Sequence, residues 1–308
     1  MNRLDIRDII SIKDFTRDQL EIVFTAADYI SKLSYEERSS LCRGKILGYA
    51  FYEPSTRTRL SFEAAMASVG GSSLGFSNTA TASTQKGESL ADTIRIMAGY
   101  VDVVILRHPL DGSSRFAAEI SDKPIINAAS GTEEHPTQAL LDIYTIKKEK
   151  GTVDGLNIGI IGDLKHGRTV YSLLYALIHY DVKVYLISPE SLKIRPESIF
   201  ELGKSISFTE ITDIEECIDE LDVLYVTRIQ RERFTDQEEY EKMRGSYVVG
   251  LDIVGRMKKD AIIMHPLPRL DEISPDVDGT SHARYFEQAR YGKDIRAALL
   301  HLLLADSS

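Results

Sequence analysis

The chain has 308 residues, 43% hydrophobic and 27% charged, with a formal net charge of −10. That length leaves room for two α/β domains, and the composition is that of an ordinary globular protein. The negative charge disfavours nonspecific attraction to nucleic acid or an anionic membrane, and no apolar run approaches the roughly 18 residues of a membrane span.

Residues 1–15 interleave Arg3, Asp5, Arg7 and Asp8 with single apolar residues, unlike the continuous apolar stretch of a secretory signal. A cytoplasmic location is expected. Cys42 and Cys217 stand far apart with no Cys or His at metal-ligand spacing, so two reduced thiols and no metal are expected. Thr16 is a candidate N-cap for a helix over residues 16–33, where Leu20, Val23, Phe24, Ala27 and Ile30 share a face. Beyond it, strands are expected over residues 45–51, 101–106, 124–127, 157–161, 183–187, 222–227, 247–252 and 261–264. Helices are expected over 55–69, 89–100, 136–148, 168–179 and 295–304. This alternation predicts an α/β fold of two domains, each a parallel sheet flanked by helices, with the active site in the cleft at the strand carboxyl ends. The lysines of 147–150 followed by Gly151 and Gly155 put the boundary near residue 149. The domains are then 1–149 and 150–289, with the last helix, about 290–308, packing back on the first.

Several strands run into polar clusters, where ligands of open α/β sheets bind. The first leads to Glu53-Pro54-Ser55-Thr56-Arg57-Thr58-Arg59, between a strand and a helix. Backbone N–H groups at such a helix start, with two hydroxyls and an arginine, make a cradle for a phosphate-sized dianion. A nucleotide P-loop it is not, since the Gly-rich run ending in Lys-Ser/Thr is missing. Arg107-His108-Pro109 follows another strand, and His135-Pro136-Thr137-Gln138 opens a helix with proline in its favoured first position. In the second half come Gly162-Asp163-Leu164-Lys165, Gly167-Arg168-Thr169, Thr227-Arg228-Ile229-Gln230 and His265-Pro266-Leu267-Pro268-Arg269. Arg168 and Arg228 follow separate strands, and two planar guanidinium forks suit a doubly negative acceptor and repel a cationic one.

In order and spacing these motifs, continuing to Tyr285-Phe286-Glu287-Gln288, resemble those of the aspartate/ornithine carbamoyltransferase family over essentially the whole chain. The second-half motifs resemble its aspartate branch. The Ser-Met-Gly loop and the His-Cys-Leu-Pro motif of the ornithine branch are missing. The resemblance implies carbamoyl transfer to aspartate without metal or cofactor. It implies that Ser55, Thr56, Arg57 and Thr58 hold phosphate with Arg107, and that Thr58, Arg107 and His135 donate to the carbonyl oxygen. Gln138 and the backbone carbonyls of Pro266 and Leu267 would orient the reacting amines. Arg168 with Thr169 would take the α-carboxylate, and Arg228 with Gln230 the side-chain carboxylate. The family also forms homotrimers with shared sites, sometimes joined by regulatory chains. Ser83 and Lys86, in the polar stretch before residue 89, resemble the loop that reaches a neighbouring chain's site.

A rival reading is a nicotinamide dehydrogenase, because Asn157-Ile158-Gly159-Ile160-Ile161-Gly162-Asp163 looks like a dinucleotide-binding turn. Gly159, Gly162 and Gly167 do not make G-x-G-x-x-G, however, and Ser188-Pro189 stands where an acidic residue should end the next strand. A noncatalytic binding chain of the same fold is a second rival, opposed by the complete set of polar motifs.

Overall fold

The computed structural model describes residues 4–77, 87–131, 134–229, 238, 245 and 247–305. The chain divides into two compact units, the first comprising Met1–Leu141 with Arg290–Ser308 and the second Asp142–Ala289.

The first unit opens with helix α1 (Arg17–Lys32), whose start is fixed by a reciprocal capping box between Thr16 and Gln19. Leu20, Val23, Phe24, Ala26, Ala27 and Ile30 are its buried side chains. Burying each large apolar side chain contributes about 1.5–3 kcal/mol, which is what holds an amphipathic helix of this length. There follow α2 (Tyr35–Arg38), β1 (Ile46–Phe51), α3 (Thr56–Ser68), β2 (Ser72–Phe76), α4 (Leu90–Ala98), β3 (Val103–Arg107), α5 (Ser113–Ile120), β4 (Ile125–Asn127) and the start of α6 (Pro136–Lys150), whose residues from Asp142 onward belong to the second unit. The strands form one parallel sheet in the order β2-β1-β3-β4. Its core gathers Ala50, Ile94, Met97, Val101, Val104, Leu106, Ala117 and Ile125.

The second unit carries β5 (Asn157–Ile161), α7 (Arg168–Leu177), β6 (Lys183–Ile187), α8 (Pro196–Leu202), β7 (Ser207–Ile211), β8 (Val223–Val226), α9 (Leu251–Val254) and β9 (Ile262–Met264). Helix α10 (Tyr285–Leu304) begins in it, and its later residues belong to the first unit. Its sheet is parallel as well, in the order β7-β6-β5-β8-β9. Ile161, Ile187, Leu224, Val226, Ile253, Met257, Ile263, Val277 and Tyr285 are among its core residues.

The sequence pattern locates every central strand but misses β2 and β7. Both are edge strands, Ser72–Phe76 and Ser207–Ile211, in which exposed or half-exposed positions predominate. An edge strand buried on neither face has no apolar run to announce it. Conversely, residues 247–252 are not a strand. Val249 makes an isolated bridge to Ile273, and the chain then turns into α9. The apolar residues there serve packing: Val249, Ile253 and Val254 all join the core.

Both thiols are buried, and burial pushes Cys42 and Cys217 up to about 12. Among the described residues no helix is long and apolar enough to cross a membrane, and no group of His, Cys, Asp and Glu could hold a metal ion.

A close backbone approach at a strand end involves Gly162, just past β5, where φ is +123°. A Cβ there would lie 2.2 Å from the carbonyl oxygen of Thr227 and 2.6 Å from its hydroxyl. Gly162→Ala combines a disfavoured backbone with overpacking, so it should cost about 2–4 kcal/mol. A lowered midpoint in urea denaturation, with the slope unchanged, is the expected result.

Candidate active site

In each sheet the strand order reverses at one place. The first sheet goes from β1 outward to β2 and then crosses to β3; the second goes from β5 outward to β6 and β7 and then crosses to β8. Ligands of open α/β sheets bind beyond the carboxyl ends at such switch points. The sequence clusters that follow β1 and β3, and those that follow β5 and β8, stand at those two places.

In the first unit, Ser55 occupies the N-cap position of α3 with an extended backbone, yet its side chain makes no capping hydrogen bond. Ser55 is therefore a cap by position only. The first intrahelical donor is Arg59, whose N–H reaches the Ser55 carbonyl at 3.3 Å. The helix thus offers no acceptor to the N–H groups of Thr56, Arg57 and Thr58, and its dipole adds positive potential at that end. Thr56 and Arg57 are exposed, whereas Thr58 is buried.

Arg107 ends β3 in register with Phe51 of β1. Its guanidinium donates to the Ala128 carbonyl at 3.2 Å and lies 3.6 Å from the Glu53 carboxylate. One arginine is thereby anchored between the turns after β1 and β4. His108 does different work. Its Nδ1 accepts from the Leu110 N–H at 3.1 Å, and its ring meets Tyr52 edge-on at 4.7 Å. Burial lowers its pKa against the opposing charge of Glu53. His108 is a packed turn anchor.

His135 immediately precedes α6, and its carbonyl accepts from the N–H groups of Gln138 and Ala139. His135, Thr137 and Gln138 are all buried. What holds this entry is Glu134, whose carboxylate accepts from the Ser11 hydroxyl at 2.7 Å and the Ile12 N–H at 2.8 Å. Burial raises its pKa, opposed by those two hydrogen bonds and by Lys13. Nothing in the sequence distinguished Glu134 from its acidic neighbour.

In the second unit, Arg168 is the first residue of α7 and Thr169 the next. The turn before them is built on Asp163, fully buried, which accepts from the His166 N–H at 3.0 Å and contacts its Nδ1 at 3.1 Å. Thr227 follows β8; its N–H donates to the Ile161 carbonyl at 2.8 Å, which aligns the turns after β5 and β8. Arg228 comes next, half-buried. Arg269 is committed elsewhere: it forks onto Asp278 and donates to the Tyr285 hydroxyl at 3.0 Å. Ser83, Lys86 and Gln230 lie outside the described residues.

Behind these loops runs a buried polar network that composition and motif did not reveal. Asp142 is fully buried and accepts from the Tyr225 hydroxyl at 2.9 Å and from Gln288 Nε2 at 2.6 Å. Gln288 Oε1 accepts the His265 N–H at 2.8 Å. His265 Nδ1 in turn accepts from the Leu267 N–H at 2.8 Å, and its Nε2 faces the Glu272 carboxylate at 2.6 Å. His265 and Gln288 stood in motifs already noted, and a further signal was the charge of Asp142 among the apolar Leu140, Leu141 and Ile143. Burial lowers the His265 pKa and outweighs the hydrogen bond and charge of Glu272, while Arg269 and Arg228 push the same way. For Glu272, burial pushes upward, but the hydrogen bond and charge of His265 with two backbone donors leave its carboxyl below the ordinary value. The pair is therefore a neutral imidazole beside a carboxylate. Burial and Asp142 raise the Tyr225 phenol well above its usual range, so it stays a donor.

The family model described as aspartate/ornithine carbamoyltransferase, carbamoyl-P binding domain, matches residues 7–148, and that of the Asp/Orn binding domain matches residues 154–303. The aspartate carbamoyltransferase catalytic subunit of Nitrosopumilus maritimus (strain SCM1) is 66% identical over 307 residues, covering 100% of this chain and 99% of its own. Among solved structures, the catalytic subunit of M. jannaschii aspartate transcarbamoylase aligns with a TM-score of 0.91 at 47% identity, over 98% of this chain and 99% of that one. Aspartate transcarbamoylase from Trypanosoma cruzi, in complex with carbamoyl phosphate and aspartate, aligns with a TM-score of 0.92 at 38% identity, over 98% of each chain.

The neutral state of His265 has a thermodynamic consequence. An unfolded histidine titrates at about 6.5, so on acidification the unfolded chain binds a proton that the folded ring refuses. Stability present above that value should be lost as pH falls toward the depressed folded pKa. Denaturant titrations between about pH 7.5 and 5.5 should show a larger decline for the native protein than for His265→Asn, and that difference isolates this residue.

Proposed function

The chain belongs to the aspartate/ornithine carbamoyltransferase family, and from that premise we propose how its residues divide the work of carbamoyl transfer. The enzyme transfers the carbamoyl group of carbamoyl phosphate to the α-amino group of L-aspartate, giving N-carbamoyl-L-aspartate and phosphate. The observation that carries the acceptor assignment is the pair Arg168 and Arg228, set on the turns after the two strands that flank the second switch point. Two carboxylates require two such forks; ornithine has only one carboxylate, and its cationic chain would be repelled.

In this reading the phosphate rests on the α3 N-terminus, held by Ser55, Thr56, Arg57 and Thr58. Arg107 supports it, kept in place by Glu53 and the Ala128 carbonyl. Thr58, Arg107 and His135 donate toward the carbonyl oxygen, which gains negative charge as the amine attacks. Donors fixed in advance on growing charge are often the largest catalytic contribution. Gln138 orients the carbamoyl amine. The carbonyls of Pro266 and Leu267 accept from the reacting amines, and Lys86, Arg168, Thr169, Arg228 and Gln230 bind aspartate. The amine nitrogen bonds to the carbamoyl carbon, the bond from that carbon to the phosphate oxygen breaks, and the departing phosphate takes the amine proton. Holding two mutually repelling anions in register supplies several kcal/mol of the barrier reduction.

We further propose a cytoplasmic homotrimer in which Ser83 and Lys86 of one chain complete the site of the next. Exposed Leu60 on α3, Leu74 on β2, Ile96 on α4 and Tyr100 just beyond it supply apolar surface on the first unit for such an assembly. The name of the relatives, catalytic subunit, fits an association with further, regulatory chains.

Carbamoylation of aspartate and not of ornithine by the purified protein tests the acceptor assignment. Arg228→Ala, which truncates a charge partner, should cost about 2–5 kcal/mol in aspartate use and leave carbamoyl phosphate binding nearly unchanged. Loss of carbamoyl phosphate binding with normal aspartate saturation would reverse the two half-sites.

Trimer sharing is tested by complementation. Lys86→Ala and Arg57→Ala should each be nearly inactive, and mixed trimers should regain part of the activity, because some interfaces then join an intact Arg57 to a neighbour's intact Lys86. No recovery despite verified subunit exchange would place both residues in one chain's site.

A further inference from the structure

The backbone after β9 takes a shape it would not hold unaided. Leu267, a large non-glycine residue, has φ of +56°, in the left-handed region. Left-handed backbone at such a residue persists only where the surroundings over-determine it. Here the surroundings are specific. The Leu267 N–H donates to His265 Nδ1 at 2.8 Å, so the ring must carry its proton on Nε2. That N–H meets Glu272 Oε1 at 2.6 Å, and the other Glu272 oxygen accepts the Leu270 N–H at 3.0 Å. Both ring nitrogens and both carboxylate oxygens are thereby used, and the turn from 265 to 270 is closed on itself. The clamp is anchored outward as well. The His265 N–H goes to Gln288, and Gln288 to Asp142, which also takes the hydroxyl of Tyr225 two residues before Thr227. His265, Gln288 and Asp142 are no more than 1% exposed, so each of these bonds is made away from competing water.

Resting on the reading of Pro266 and Leu267 as backbone acceptors for the reacting amines, we propose that His265 and Glu272 are positioning residues that hold those carbonyls in the reactive conformation. They touch no substrate themselves. Their effect is exerted through two backbone N–H groups, at Leu267 and Leu270. The Leu267 N–H belongs to the residue in the left-handed conformation, so its bond to His265 Nδ1 bears directly on that turn.

Two substitutions separate the roles. In His265→Asn the side-chain oxygen falls where Nδ1 was, retaining an acceptor for the Leu267 N–H but losing the reach to Glu272. In His265→Gln the amide falls where Nε2 was, retaining a donor to Glu272 but leaving Leu267 N–H without its partner. Both should lower the thermal midpoint similarly. Misplacing a positioning group by about an ångström can cost on the order of a hundredfold. His265→Gln should therefore lose roughly a hundredfold in kcat at saturating substrates, while His265→Asn stays within about tenfold of native. Carbamoyl phosphate binding by titration calorimetry should be retained in both and weakened far less than kcat, which also verifies folding. Glu272→Gln, milder because it still accepts from His265, should show a smaller loss in kcat; this variant decides the matter if His265→Gln does not fold. Native turnover in His265→Gln or Glu272→Gln, or losses that simply track the thermal midpoint across all three, would overturn the proposal. A native protein that does not carbamoylate aspartate would overturn both it and the reading beneath it, and is distinguished by failing before any substitution is made.

Discussion

A parallel sheet covered by helices on both faces has no solvated face on which to keep polar side chains, so they collect beyond its strand ends. Both sheets of this chain obey that constraint. The central strands are apolar and buried almost throughout, and the chain turns polar within a residue or two of where they stop. Strand order then decides which ends matter. Where the connection reverses direction, two neighbouring strands send their following turns to opposite sides and leave space between them. Ser55 to Arg59 with Arg107 stand at one such place, and Arg168 with Thr227 and Arg228 at the other.

An acidic chain that handles two anionic substrates must hold its positive charge locally, and the arginines show how. Arg107 is steered by Glu53 and a backbone carbonyl, and Arg168 starts a helix. Arg269, although in an equally polar motif, is spent on Asp278 and Tyr285 and braces the turn after β9. Arginine at a strand end is therefore not in itself a ligand; its acidic neighbours decide. Carboxylates do the corresponding work among neutral groups. Glu134 fixes the entry to His135, Asp163 the entry to Arg168, and Asp142 with Glu272 the turn of Pro266 and Leu267.

What could be read beforehand follows from the same physics. Strands buried on both faces are written as apolar runs, so β1, β3, β5, β6 and β8 were legible to within a residue or two. The edge strands β2 and β7 were not, because pairing with a neighbour, not burial, makes them strands. Val249 and the residues after it read as a strand because apolar side chains mark burial without naming the backbone that achieves it. The motifs to which we assign substrate binding stood out because they cluster in short runs of unusual composition. The residues that hold those runs in place were not: Glu134 and Glu272 look like any surface acid. Only tertiary structure shows them buried or half-buried beside backbone donors.

The contact between Gly162 and Thr227 has a bearing on how such a chain changes its diet over generations. A Cβ at Gly162 would run into Thr227, and the Thr227 N–H is bonded to the Ile161 carbonyl, so the turns after β5 and β8 are tied at close quarters. Lengthening or shortening the accepted amino acid then has to come from exchanging the side chains that hang from a fixed chassis, in discrete steps of whole functional groups. Acceptor preference in a protein built this way should shift by jumps and not by gradual drift, and its intermediates should be poor at both substrates.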